Sequence, residues 1–100
     1  MDYTTAKEND STAIFLKGRL TFNDHEKFRV MLDELEAQNA VHLVVDLQSL
    51  ESIDSVGLGL LMIARDKAKE RNGKFVLRNP QGEVKRVFAI SKASVLFTIQ

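Results

Sequence analysis

One serine in this chain stands where a hydroxyl group could take part in chemistry. Ser55 follows Asp54, and Val56-Gly57 then lead into an apolar stretch typical of a helix. Asp and Ser are favoured at helix N-termini, where their side-chain oxygens accept hydrogen bonds from free backbone amides. The same amides and the positive end of the helix dipole also stabilise a phosphoryl group. The pattern therefore fits two roles, a simple helix cap and a phosphorylation site.

Two other arrangements that could support chemistry are weaker. The nucleophile elbow of a hydrolase requires a glycine two residues before its serine, and Ile53 occupies that place. Asp46 ends an apolar run and could be the phosphoacceptor of a receiver-like phosphotransfer protein. That site needs acidic residues at the end of the first strand to hold magnesium, and Lys17 and Arg19 lie in that region instead. We therefore expect no catalytic residues and no enzyme activity.

Composition narrows the class of protein further. The chain has 100 residues, of which 44% are hydrophobic and 28% charged, so we expect one domain spanning residues 1–100 with a substantial core. The formal net charge of zero argues against a nucleic-acid partner. Cysteine is absent, and neither His25 nor His42 stands at metal-ligand spacing, so we expect no metal and no cofactor.

The sequence also predicts where the protein resides. The N-terminal residues are polar and acidic, unlike a signal peptide. The longest apolar run, Leu58 to Ala64, is far shorter than the ~20 residues that a membrane helix needs. We therefore expect a cytoplasmic protein without membrane insertion. The sequence leaves the oligomeric state open, and we favour a monomer.

Hydrophobic periodicity predicts the elements that position Ser55. Strands are expected at Tyr3–Glu8, Thr12–Leu16, Val41–Leu47 and Lys74–Leu77, and Val95–Ile99 is expected to be a last strand or an extended tail. Helices are expected from Asn23, with Glu26 completing a capping box, to Gln38, from the Asp54-Ser55 turn to about Arg71, and over Glu83–Ile90.

This order of elements predicts an α/β fold with a mostly parallel sheet. Strands that alternate with helices require crossover connections, whereas the short link Asn9-Asp10-Ser11 predicts an antiparallel hairpin at the N-terminus. Functional groups of such sheets gather at the carboxyl ends of the strands. The loop expected from Asp46 to Ser55 follows one such end, so topology and motif indicate the same place.

Three stretches together resemble the STAS family, whose small stand-alone members are bacterial anti-sigma factor antagonists. They are the strand end Asp46-Leu47, the central run Ile53-Asp54-Ser55-Val56-Gly57-Leu58, and the closing Val84-Lys85-Arg86-Val87-Phe88 with Leu96-Phe97. Two positions depart from the family pattern. Lys92-Ala93 stands where Gly-Leu often follows the last helix, and Val56 stands where sporulation-type members often carry a second serine.

The resemblance implies a protein-binding switch in signal transduction and transcription regulation, with Ser55 as the phosphorylated residue. It also implies the partners: an anti-sigma factor or a related serine kinase of the histidine-kinase-like ATPase class, and a PP2C-type phosphatase. One alternative within the family is a STAS subunit of a transporter or lipid-trafficking complex, with Ser55 as a contact.

The helix after Ser55 carries more apolar residues than one helix face can bury. Leu58, Leu61 and Met62 form one set, while Val56, Leu60, Ile63 and Ala64 form another. We expect the first set to be partly exposed and to contact the partner. The partner-binding residues predicted from the sequence are Asp54, Ser55, Val56, Gly57, Leu58, Leu61 and Met62.

Overall fold

The computed structural model describes all 100 residues, Met1–Gln100. It has five strands: β1 (Asp2–Glu8), β2 (Ser11–Leu20), β3 (Leu43–Ile53), β4 (Phe75–Arg78) and β5 (Thr98–Ile99). The helices are a short 3₁₀ turn (Phe22–Asp24), α1 (His25–Ala37), α2 (Ser55–Glu70), α3 (Gly82–Ser91) and the single-turn α4 (Ala93–Leu96). The predicted α/β class and the three main helices are confirmed.

The sheet has its strands in the same order as the chain, from β1 to β5. The pair β1–β2 is antiparallel and the later pairs are parallel. This topology confirms the predicted N-terminal hairpin and the mostly parallel sheet. No helix is long and apolar enough to cross a membrane.

One face of the sheet carries the core. Side chains alternate along a strand, and the buried set that includes Ile14, Val45 and Leu77 lies in register across β2, β3 and β4. Helices α1 and α2 contribute to the same cluster through buried residues at helical spacing: Phe28, Met31, Leu32 and Leu35 from α1, and Leu60, Leu61, Ala64 and Ala68 from α2. On the second face, most side chains are half-buried or exposed; Ala13 and Asp46 are buried.

Strands β2 and β3 are longer than the sequence pattern predicted. Strand β2 does not end at Leu16 but continues to Leu20, passing through Gly18 at φ +86° and two register shifts against β3. Strand β3 likewise continues past Asp46 to Ile53, so the expected loop from Asp46 to Ser55 does not exist. The register shifts let Leu47, Leu50 and Ile53 all face the core despite their spacing of three. That spacing obscured the strand signal.

Two ends of elements also differ from the predictions. The capping box lies at Thr21 and Asp24 of the 3₁₀ turn, rather than at Asn23 and Glu26. The predicted C-terminal segment Val95–Ile99 begins inside the short helix α4, and only Thr98 and Ile99 form a strand, β5. Lys92 separates α3 from α4 with φ +56°, a conformation that favours glycine. The departure from Gly-Leu therefore falls at a backbone position where glycine costs least.

Candidate functional site

The turn between β3 and α2 is held by the carboxylate of Asp54. Its Oδ1 accepts a hydrogen bond from the Gly57 amide at 2.7 Å, which caps α2. Its Oδ2 accepts one from the Phe22 amide at 3.1 Å. The Asp54 amide donates to the carbonyl of Leu20 at 3.2 Å. Asp54 therefore joins the end of β2 and the 3₁₀ turn to the start of α2.

Ser55 is the first residue of α2 and is exposed. The cap hydrogen bond comes from Asp54, so the hydroxyl of Ser55 is not needed to begin the helix. Of the two roles that the sequence left open for this pair, the cap belongs to Asp54. The hydroxyl of Ser55 faces solvent at a helix N-terminus and can accept a phosphoryl group without losing a bond that holds the fold.

The two glycines of α2 stand in opposite surroundings. A Cβ atom on Gly57 would lie 2.2 Å from the carbonyl oxygen of Leu20, so the fold tolerates only glycine there. A Cβ atom on Gly59 would meet no heavy atom within 4 Å. Glycine inside a helix costs about 1 kcal/mol relative to alanine. Close packing explains that cost at Gly57, and nothing in the fold explains it at Gly59.

Burial along α2 corrects two predicted partner residues, Gly57 and Leu61. Gly57 is buried where the helix meets the Leu20 carbonyl, so it is not accessible to a partner. Leu61 is fully buried in the core, with an exposed fraction of 0%, so it cannot contact a partner of the folded protein. Leu58 and Met62 are half-buried against the core, consistent with the partial exposure expected for them. Val56 and Ile63 are the exposed apolar residues of the helix, at 42% and 46%. The two predicted apolar sets are therefore each divided between core and surface.

Phe22 is a site residue that the sequence analysis missed. Its side chain is 64% exposed, although its backbone amide is fixed by Asp54. The turn that carries it is closed by Thr21 and Asp24, whose side chains complete the capping box. The available signal was Thr21 with an acid three residues later, a capping-box pattern. An apolar ring thus stands on a well-fixed turn beside Ser55.

A second polar cluster lies on the second face of the sheet, around Arg78. Its guanidinium contacts Asp46 Oδ2 at 2.8 Å and both Glu8 oxygens at 2.8 and 3.0 Å, and it lies over the Phe15 ring. The remaining bonds to Asp46 come from the Gln48 amide at 2.9 Å and the Asn79 side chain at 3.2 Å. Both oxygens of Asp46 are therefore engaged inside the fold.

Charge pairing in this cluster shifts its ionisation. Burial raises the pKa of Asp46, but hydrogen bonds from Arg78, the Gln48 amide and Asn79 outweigh it and hold that pKa below its ordinary value. The hydrogen bond from Arg78 lowers the pKa of Glu8. The two carboxylates in turn raise the pKa of Arg78. A buried, bonded carboxylate is a poor phosphoacceptor, which disfavours the receiver-like role of Asp46.

The histidines and acids do not assemble a metal site. No group of three or more His, Cys, Asp or Glu side chains is arranged to hold an ion. His42 Nδ1 accepts a hydrogen bond from the Lys74 amide at 2.9 Å, a contact that ties the start of β3 to the start of β4. His25 lines a shallow groove between α1 and α2.

The fold and this turn identify the family of the chain. The family model "STAS domain" matches residues 3–100, and the chain belongs to the STAS domain family. A STAS-domain containing protein of Pseudomonas aeruginosa is 34% identical over 92 residues, which cover 92% of this chain and 90% of that protein.

Solved structures share the fold at lower identity. The Thermotoga maritima protein TM1081 aligns with a TM-score of 0.86 at 21% identity, covering 97% of this chain and 84% of that one. The Bacillus cell fate determinant SpoIIAA in its phosphorylated form aligns with a TM-score of 0.71 at 21% identity, covering 99% and 91%. A sulfate transporter family protein from Wolinella succinogenes gives 0.71 at 13% identity, covering 91% and 75%.

Proposed function

We propose that this chain is a cytoplasmic, phosphorylation-controlled binding switch of the anti-sigma factor antagonist type. The main observation behind the proposal is that the two residues of the turn have separate roles. Asp54 caps α2, which leaves the exposed Ser55 hydroxyl free. The fold similarity to SpoIIAA, solved in a phosphorylated form, supports the same assignment. The protein itself is proposed to be no enzyme, so the chemistry belongs to its partners.

The proposed reaction transfers the γ-phosphoryl group of ATP to Ser55. The hydroxyl oxygen forms a bond to phosphorus, the bond from phosphorus to the β-phosphate oxygen breaks, and ADP leaves. The hydroxyl proton passes to the partner, a serine kinase of the histidine-kinase-like ATPase class that also acts as the regulator being bound. A PP2C-type phosphatase returns the free hydroxyl by hydrolysis and releases inorganic phosphate.

Phosphorylation would act on binding through charge. The group adds about −1.5 to −2 charges at neutral pH, beside the carboxylate of Asp54, which the amides of Phe22 and Gly57 hold in place. The helix dipole and the first-turn amides of α2 stabilise this charge within the fold. A partner surface that packs on the same helix end faces it directly and loses affinity. The proposed partner contacts are Phe22, Asp54, Ser55, Val56, Leu58, Met62 and Ile63.

The first experiment locates the phosphate. The purified protein is incubated with ATP and an extract of its own cell, and mass spectrometry follows the phosphorylated residue. We expect one phosphate on Ser55 and none in the Ser55→Ala variant. The matched control is Ser49→Ala, which removes another exposed serine hydroxyl from β3 and should leave the reaction unchanged. A phosphate on Ser49, Ser52 or Asp46 would overturn the assignment.

A second experiment separates the proposed switch from a transporter or lipid-trafficking subunit, a candidate that the shared fold of the Wolinella protein keeps open. The wild-type protein and Ser55→Asp are used as baits in extracts of the native cell. The switch predicts that the kinase is captured by the wild-type protein and lost with Ser55→Asp. Equal capture of transporter subunits by both baits would favour the alternative.

A further inference from the structure

Gly59 is a glycine that the fold does not require. It lies in the interior of α2, where glycine is the poorest helix former after proline. A Cβ atom there would meet nothing within 4 Å, in contrast to Gly57, where it would clash with the Leu20 carbonyl. The backbone of Gly59 has no left-handed φ. Neither packing nor conformation accounts for the missing side chain.

The position of Gly59 on α2 suggests a reason for the absence of a side chain there. Residues four apart lie on the same helix face, so Gly59 follows Ser55 on the outward side of α2 and leads on to Ile63. The exposed Val56 lies three residues before it. Gly59 is therefore a gap between two exposed apolar side chains, about one helical turn (~5.4 Å) from the proposed phosphoacceptor.

A protein that recognises Ser55 must also cover Gly59. Stable protein interfaces bury about 800 Å² on each partner, which corresponds to a patch of roughly 16 Å radius. A residue one helical turn from the recognised hydroxyl falls well inside such a patch. The protein that recognises Ser55 is therefore also the protein that fills the space at Gly59. Its contact there is apolar because Val56 and Ile63 flank that space.

We propose that Gly59 is the point where the serine kinase that phosphorylates Ser55 approaches the α2 backbone most closely, with an apolar side chain lodged between Val56 and Ile63. This inference rests on the proposed function. The missing Cβ atom leaves room for the partner, and a side chain at residue 59 would hold the two surfaces apart. The helix thus gives up stability at the one outward position where a partner needs space.

The test uses two effects of opposite sign in Gly59→Ala and Gly59→Leu. Both residues are better helix formers than glycine and enter open space, so each variant should melt higher than wild type, Gly59→Ala by roughly 4–8 °C. The rate of Ser55 phosphorylation by the native-cell extract, measured at a limiting concentration of the protein, should fall about tenfold for alanine. It should fall further for leucine. Glu70→Ala, an exposed change at the far end of α2, is the control and should leave the rate unchanged.

The outcomes separate this inference from the proposed function. If wild type is phosphorylated on Ser55 and both Gly59 variants react at the same rate, Gly59 is not a contact, although the switch itself stands. If Gly59→Ala lowers the melting temperature, the position is not open and the inference fails. If the wild-type protein gains no phosphate on Ser55, the proposed function is wrong, and this inference, which depends on it, is wrong as well.

Discussion

Two carboxylates of this domain, Asp46 and Asp54, accept a hydrogen bond on each of their oxygens, but the groups around them differ in how many are left without a bond. Asp46 accepts hydrogen bonds from the Arg78 guanidinium, the Asn79 side chain and the Gln48 amide, and Arg78 also bonds Glu8. Around Asp54, each carboxylate oxygen accepts one backbone amide, but the neighbouring Ser55 and Phe22 present an unbonded hydroxyl and an exposed ring to solvent.

The difference shows how to tell a structural polar cluster from a candidate binding site. A cluster whose members satisfy one another contributes to stability and offers a partner nothing. A site for a partner uses some polar groups to fix the backbone and leaves others unused. The number of hydrogen bonds at an acidic residue does not distinguish the two cases. The two cases differ in whether the neighbouring groups are themselves bonded or remain free to contact a partner.

The largest effect is expected when the polar cluster around Arg78 is disrupted. Arg78→Met removes the cation that neutralises Asp46 and Glu8 and leaves the buried Asp46 carboxylate with only neutral donors. We expect the free energy of unfolding to fall by about 2–3 kcal/mol, measured by urea denaturation. The control Arg86→Met removes an exposed pair at 3.8 Å and should change it by about 0.5 kcal/mol or less. Phosphorylation of folded Arg78→Met should match wild type; its loss would place this cluster in the binding site.

Acid should reduce the stability that the ion pairs of Arg78 contribute. The pKa values of Asp46 and Glu8 are lowered in the folded state from ordinary values of 3.8 and 4.5. Such groups contribute their full stability above the ordinary pKa, and that contribution is lost as the pH falls through the lowered folded-state pKa. The gap in unfolding free energy between wild type and Arg78→Met should therefore be constant from pH 7 to pH 5 and shrink below about pH 4. A gap that widens in acid would contradict the assigned shifts.

Asp54 gives the next largest effect. Asp54→Ala removes the cap of α2 and the acceptor for the Phe22 amide, so we expect a loss of about 1–2 kcal/mol in unfolding free energy and weaker phosphorylation of Ser55. Asp54→Asn keeps one oxygen to accept the Gly57 amide but turns its NH2 group toward the Phe22 amide, so it should retain the cap of α2 and lose less stability than Asp54→Ala. Hydrogen exchange should show the Phe22 amide exposed in the alanine variant. Unchanged exchange there would mean that Asp54 does not fix the turn.

The smallest change in stability is expected at Ser55 itself. Ser55→Asp places a carboxylate at a helix N-terminus, which is favourable by about 0.3–1 kcal/mol, while repulsion from Asp54 offsets it. Melting close to wild type should therefore accompany weaker capture of the kinase, though less weakening than phosphorylation causes, since the charge added is smaller. Ser55→Asn, similar in size and neutral, should retain capture. A melting temperature far below wild type would show that Ser55→Asp loses binding through unfolding.

Most of the fold could be predicted from hydrophobic spacing alone. The helix predicted from Asn23 to Gln38 is α1, whose buried face consists of Phe28, Met31, Leu32 and Leu35, and the short link after β1 forms the predicted hairpin. The pattern was misleading where the backbone departs from a regular period. Gly18 with its positive φ and the bulges opposite it turned the second half of β3 into a period of three. Local sequence does not reveal register shifts, because they depend on the neighbouring strand.

The sequence predicted where the candidate site lies along the chain, but it did not predict which side chains form its exposed surface. The motif located Asp54 and Ser55 at the start of a helix, and the structure has them there. Which apolar side chains of α2 face outward depended on where the helix meets the sheet, and Gly57 sets that contact through the Leu20 carbonyl. Leu61 was therefore assigned to the wrong side. Phe22 was missed because the bond that fixes it spans 32 residues.

The agreement between strand order and chain order also affects how the domain can assemble during synthesis. Because β1 to β5 pair in the order in which they leave the ribosome, no strand has to insert between two that are already joined. Each βα unit can add to the free edge left by the one before it, so each new strand pairs with the strand that directly precedes it along the chain. A chain interrupted partway would expose one sheet edge, the edge that its next segment is built to cover.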